Sequence, residues 1–173
     1  KEDVALGKRV PVKPVKLEPN MRKYVMVPGN ARVRHAFIEK RIEKMQKFSE
    51  RTKLNQIEMN DTSLGIITSG VSYNYLKEAY PDASYLKLGF LYPFCDEKIK
   101  AFAKSVKKLV IVEELDPFIE EHIKALGIKK AKFKDLSFRL GELTPETISD
   151  AVTGKPKKVK KIPGRAPRLC AGC

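Results

Sequence analysis

From Ser63 onward the chain alternates short apolar runs with amphipathic helical segments, and this alternation restricts it to one fold class. Leu64 to Thr68 reads as a first strand ending at Ser69 and Gly70, and a helix from about Ser72 to Ala79 stops at Pro81 and Asp82. Tyr85 to Phe90 is a second strand. Tyr92 and Pro93 turn the chain, Asp96 is the expected helix cap, and Ile99, Phe102, Ala103 and Val106 follow at helical spacing. Leu109 to Val112 is a buried-type strand. Asp116, Pro117 and Gly127 bracket the next helix in the order of start and stop signals. A short strand near Lys132 to Leu136 and a helix opened by Thr144 and Pro145, burying Ile148, Ala151 and Val152, complete the series. A parallel connection needs a dozen or more residues to return to the same edge of a sheet, so strands separated by helices become parallel neighbours. The expected body is an α/β domain with a mostly parallel sheet sandwiched by helices.

The flanks differ. Prolines at 11, 14, 19 and 28 remove backbone donors and fix φ, so an extended connector with a short strand at Lys23 to Val27 is expected before the body. Beyond Asn30, an expected cap, Ala31 to about Arg51 places Ile38, Ile42, Met45 and Phe48 near helical spacing. This is an amphipathic helix with a basic outer face, read as a connector packed on a neighbour. After Gly154, KPKKVKKIPG is all like charges and turn formers, the composition of a solvated linker.

Charge follows the same division. Of the net +14, residues 1–60 hold 15 Lys/Arg against 7 Asp/Glu, residues 61–154 hold 13 against 14, and residues 155–173 hold 7 against none. A nucleic-acid-binding domain displays cations on its folded body, whereas here the body is neutral and the arms carry the excess. Binding of nucleic acid, or a partner, through the lysine-rich arms is the alternative function, disfavoured because no aromatic stacking motif accompanies the lysines. No apolar run reaches the roughly 18 residues of a membrane span. The first residues lack the layout of a signal peptide, and three cysteines are too few for a disulfide framework, so a reduced cytoplasmic setting is expected.

No self-contained catalytic or cofactor-binding set emerges from spacing. Thr68, Ser69, Gly70, Tyr92, Glu113 and Glu114 fall at strand ends, where doubly wound sheets bind ligands. Glu113 and Glu114, adjacent in an extended strand, point to opposite faces and cannot act as an acid and base on one substrate; a strand end entering solvent or a domain interface is expected instead. GIITSG lacks the spacing of a dinucleotide loop and the lysine of a P-loop. His35 and His122 lie on separate helices, and His122 borders an apolar stripe where a structural histidine is expected. Cys95 reads as a small buried hydrophobe. Cys170 and Cys173 form a CxxC that supplies two thiolates where zinc or an iron–sulfur cluster generally needs four ligands, half a site within this chain.

Five segments in order, MVPGNARVRH (Met26 to His35), GIITSGVSYNYLKEAYPDASYLKLGFLYP (Gly65 to Pro93), VIVEELDPFIEEHIKALG (Val110 to Gly127), GELTPETI (Gly141 to Ile148) and PRLCAGC (Pro167 to Cys173), resemble the alpha subunit of indolepyruvate ferredoxin oxidoreductases. The resemblance implies that the chain is a piece of a larger subunit. In that subunit a thiamine-pyrimidine domain comes first, a transketolase C-terminal-like domain second, a thiamine-diphosphate domain third and a ferredoxin-like domain last. Residues 1–59 would be the exit from the first domain and a connecting helix, 60–154 the second domain, and 155–173 a basic linker and the start of the third.

Such enzymes decarboxylate aryl-2-oxoacids to acyl-CoA and pass electrons through iron–sulfur clusters to ferredoxin. The resemblance therefore implies thiamine diphosphate, magnesium and 4Fe-4S clusters in the full enzyme and none in this piece, with a smaller beta subunit, ferredoxin and coenzyme A as partners. It also implies cluster ligation by Cys170 and Cys173, with Ala171 standing where the family's CPGCPHR has proline. The piece alone is expected to be inactive.

Overall fold

A computed structural model describes residues 5–132 and 142–153. They fall into two compact units that divide after Arg41. In the first, Met21–Tyr24 forms a short helix, α1, whose cap Asn20 accepts the Lys23 N–H at 3.0 Å. The short strand expected at Lys23 to Val27 does not form: Lys23 and Tyr24 belong to α1, because Asn20 closes a helical turn on them, and Val25 to Val27 pair with no strand among the described residues. The long helix α2 runs Pro28–Arg51. Pro28 opens it, since a fixed φ and a missing N–H cost nothing in a first turn. Asn30 lies inside the helix rather than capping it, and its Nδ2 donates to the Val25 carbonyl at 2.8 Å.

The second unit is built on a five-stranded sheet. Its strands are β1 (Asn55–Glu58), β2 (Asp61–Ser69), β3 (Ala83–Leu88), β4 (Lys108–Val112) and β5 (Ala131–Lys132), in the spatial order β1-β3-β2-β4-β5. All neighbours are parallel except β1, which runs antiparallel to β3. Helices α3 (Ser72–Ala79), α4 (Asp96–Ser105) and α5 (Phe118–Ala125) fill the crossovers, and α6 (Pro145–Thr153) follows β5. The α/β class is as expected, with a mostly parallel sheet between helices.

Alternation along each strand sends side chains to two cores. Ile67, Leu86, Leu109 and Ile111 pack with Ile99 and Phe102 of α4 and Ile119 and Ile123 of α5. Ile66, Tyr85, Val110 and Val112 pack with Leu76 of α3 and with Ile148 and Val152 of α6. β4 is therefore buried on both faces, which is why its sequence is an unbroken apolar run. Each fully buried Ile or Leu contributes about 1.5–3 kcal/mol. Of the strand expected near Lys132 to Leu136, Ala131 and Lys132 form β5 and the remainder lies outside the described residues, as does the side chain of Ala151.

β1 was not expected, and it places the antiparallel edge of the sheet ahead of Asn60. Its sequence, NQIE, is polar because an edge strand has one open side, and Ile57 is 42% exposed. Asn55 fixes it. This buried amide donates to the Ser49 carbonyl at 3.2 Å and accepts the N–H groups of Gly89 at 3.1 Å and Phe90 at 2.9 Å. The last turns of α2 thus belong to the sheet domain: Glu50 accepts the N–H groups of Glu97 and Lys98, both at 3.1 Å, and Gln46 Nε2 donates to the Phe94 carbonyl at 2.6 Å.

Candidate functional site at the carboxyl edge of the sheet

From β2 the chain crosses to β3 on one side and returns to β4 on the other, so β2 and β4 part at their carboxyl ends. Open α/β sheets bind ligands at such a reversal. A crevice of about 340 Å³ lies there, lined by Ser69 to Ser72 on one wall and Glu113 to Asp116 on the other, with Leu91, Phe118 and Ile119. Gly70 turns the chain with φ +59°, and Leu115 holds a left-handed backbone at φ +54° with its side chain 59% exposed. A branched residue adopts that conformation only where the surrounding chain imposes it.

The glutamates part as alternation requires. Glu113 is buried, and its two carboxylate oxygens accept the N–H groups of Ile119 at 2.8 Å and Glu120 at 2.9 Å. Glu114 lies exposed and accepts the Leu143 N–H at 3.3 Å. The expectation that Glu113 enters solvent or an interface is thereby corrected: it closes the first turn of α5, the role expected of Asp116. Asp116 instead accepts the Phe118 N–H through its backbone carbonyl at 2.9 Å. At α4 the same substitution occurs, with Glu50 closing the turn expected of Asp96. In both cases a long carboxylate arriving from another element reaches amides that a short local side chain does not.

A second crevice, of about 310 Å³, shares Phe118 with the first and is lined by Gln46, Tyr92, Pro93, Phe94, Asp96, Glu121 and His122. The Tyr92–Pro93 peptide is cis. The His122 ring stacks on Phe94 with centroids 4.1 Å apart, and its Nε2 lies 2.7 Å from Asp96 Oδ1. The expected structural histidine thus has an aromatic face and a carboxylate partner. Sequence reasoning missed this pair, because 26 residues separate its members and no local spacing marks it. His35 lies on the other unit, 3.0 Å from Glu39 on an exposed helical turn.

The remaining candidates do not converge. Thr68 is buried and does not line either crevice, and its Oγ1 has no hydrogen-bond partner among the described residues. Cys95 is fully buried, and burial, with the nearby Glu50 charge, pushes its thiol up to about 11. A thiol held protonated is a poor nucleophile. Ser69 and Gly70 reach the first crevice, yet Glu113, Glu114 and Asp116 share it and no lysine or arginine lines it. Such a lining has nothing to neutralise a diphosphate, so this crevice does not fit thiamine diphosphate. Among the described residues no three His, Cys, Asp or Glu side chains are grouped to hold a metal. Cys170 and Cys173 lie outside the described residues. No described helix is long and apolar enough to cross a membrane.

No family model matches the chain. Curated relatives nevertheless align with most of it. Indolepyruvate oxidoreductase subunit IorA of Archaeoglobus fulgidus is 31% identical over 171 residues, covering 86% of this chain and 27% of the relative. The subunit of the same name from Thermococcus kodakarensis is 33% identical over 199 residues, covering 99% and 30%. That of Pyrococcus abyssi is 32% identical over 181 residues, covering 89% and 28%. The chain therefore spans less than a third of the length of these relatives. Among solved structures, a 2-oxoglutarate:ferredoxin oxidoreductase from Magnetococcus marinus, with 2-oxoglutarate, coenzyme A and succinyl-CoA bound, matches 75% of this chain and 24% of its own with TM-score 0.53 and 21% identity, a likeness of fold. The resemblance to the indolepyruvate oxidoreductase alpha subunit holds along nearly the whole chain.

Proposed function

We propose that this chain is a supporting, non-catalytic domain of a 2-oxoacid ferredoxin oxidoreductase of the indolepyruvate type. The full subunit would convert aryl-2-oxoacids to acyl-CoA, with thiamine diphosphate and magnesium held by other domains and electrons leaving through 4Fe-4S clusters to ferredoxin. The observation that carries this reading is the alignment of 86% to 99% of the chain with 27% to 30% of three such subunits. The polar groups at the carboxyl edge support the supporting role. Glu113, Glu50 and Asn55 spend their hydrogen bonds on backbone groups of this same domain.

In this reading residues 1–59 leave a preceding thiamine-pyrimidine domain, 60–154 form the transketolase C-terminal-like domain, and 155–173 lead into a thiamine-diphosphate domain. Cys170 and Cys173 would give two thiolates to a cluster completed by ligands elsewhere in the subunit. A smaller beta subunit and coenzyme A complete the assembly, which works in the cytoplasm. Purification from the native source tests this. The expected polypeptide is several times heavier than its 173 residues, and it reduces ferredoxin when given indolepyruvate and coenzyme A. A polypeptide of this length alone, without that activity in any assembly, contradicts the reading.

A further inference from the structure

The second crevice has a composition that neither a buried core nor a reaction site explains. Tyr92 and Phe118 stand 62% and 51% exposed at its mouth, although apolar rings gain about 25 cal/mol per Å² when covered. Two carboxylates, Asp96 and Glu121, line it as well, and no lysine or arginine does. Its walls are fixed before any ligand arrives. His122 is held by Asp96 and stacked on Phe94, Phe94 packs on Phe118 with centroids 5.2 Å apart, and Gln46 ties the Phe94 carbonyl to α2.

Exposed aromatic rings beside carboxylates favour a cation, which gains from the ring quadrupole and from the charges together. The same carboxylates repel an acid such as a 2-oxoacid. The adjoining crevice, reached across Phe118, presents Leu115, whose side chain is exposed. We propose that this edge is a docking site for a partner polypeptide. A lysine or arginine of the partner enters between Tyr92 and Phe118 against Asp96 and Glu121, and an apolar residue a few positions away packs on Leu115. Charge complementarity and the two adjoining crevices select an extended cationic segment over a small organic cation, whatever enzyme the domain serves.

The test is a solution NMR titration of the 173-residue chain with three probes: a capped tetrapeptide with leucine first and arginine last, its citrulline counterpart, and butylguanidinium. The expected result is a saturable shift at Tyr92, Phe118 and His122 with the arginine peptide. Affinity should fall about tenfold for citrulline and about threefold for Glu121→Gln, whose amide spectrum elsewhere stays that of the parent. Equal binding of the citrulline peptide, absence of a shift at these rings, or butylguanidinium binding as tightly as the peptide overturns the proposal.

Discussion

Glu113, the residue that follows β4, closes the first turn of α5 by accepting the Ile119 N–H at 2.8 Å, six residues further along the chain. The second carboxylate oxygen takes the Glu120 N–H at 2.9 Å, so one buried side chain satisfies two amides that a helix start leaves open. The candidate acid is spent on the fold, and it positions Phe118 between the two crevices.

Glu113→Ala should therefore lower the unfolding free energy by about 2 kcal/mol, the combined loss of a cap and of buried amide partners. Glu113→Gln, which keeps one acceptor oxygen, should lose about half as much. Urea unfolding by circular dichroism reads the difference, and a change under about 0.5 kcal/mol for the alanine variant would show that water replaces the carboxylate.

Gly65 on β2 has no room for a side chain, because an added Cβ would stand 2.6 Å from a methyl of buried Val106. Gly65→Ala should cost about 1–3 kcal/mol through overpacking. Adding Val106→Ala should cost less than the two single losses together, since the second change removes the two nearest obstructing carbons and leaves only the Val106 Cβ, at 2.9 Å. Strict additivity in a double-mutant cycle would place the strain elsewhere.

Alkaline pH should weaken the domain. Burial and the neighbouring Glu50 charge raise the Cys95 thiol from 9.0 to about 11, and burial with the Glu58 contact raises the Tyr73 hydroxyl to about 12. Each group stays protonated in the folded chain where the unfolded chain has ionised. Their stabilising contribution is complete below about pH 9 and is lost as pH rises through the folded values. A melting temperature that falls from pH 9 toward 11, with a shallower slope in Cys95→Ala, is expected. Native Cys95 should also resist alkylation until the protein is unfolded.

An opposite limb rests on Glu58. The hydrogen bond from the Tyr73 hydroxyl, with the Lys77 ammonium 3.0 Å away, holds its carboxyl below the ordinary 4.5 and outweighs the opposing effect of burial. Its stabilising contribution is present above about 4.5 and is lost as pH falls through the folded value. Tyr73→Phe should raise the Glu58 titration midpoint, followed by carboxyl NMR, and remove about 1 kcal/mol at neutral pH. An unchanged midpoint would assign the shift to Lys77.

What the sequence revealed and what it hid follow from range. β2, β4 and helices α3 to α6 were legible because periodicity is local: Leu109 to Val112 is apolar throughout since both faces are covered, and Ile99, Phe102 and Ala103 repeat with the helix turn. β1 was hidden because Asn55, Gln56 and Glu58 are polar on an edge strand, and its anchor is an amide reaching Gly89, 34 residues away. The caps were misassigned for the same reason. Asp96 and Asp116 carry the local signature, while Glu50 and Glu113 carry the contacts.

The most direct measurement is calorimetric titration of thiamine diphosphate and magnesium into the purified chain, followed by a turnover assay with indolepyruvate, coenzyme A and ferredoxin on the same sample. A domain whose strand-end carboxylates Glu113 and Glu114 are spent on its own backbone should give no binding heat and no product. Saturable micromolar binding, or turnover by this polypeptide without another subunit, would contradict that account.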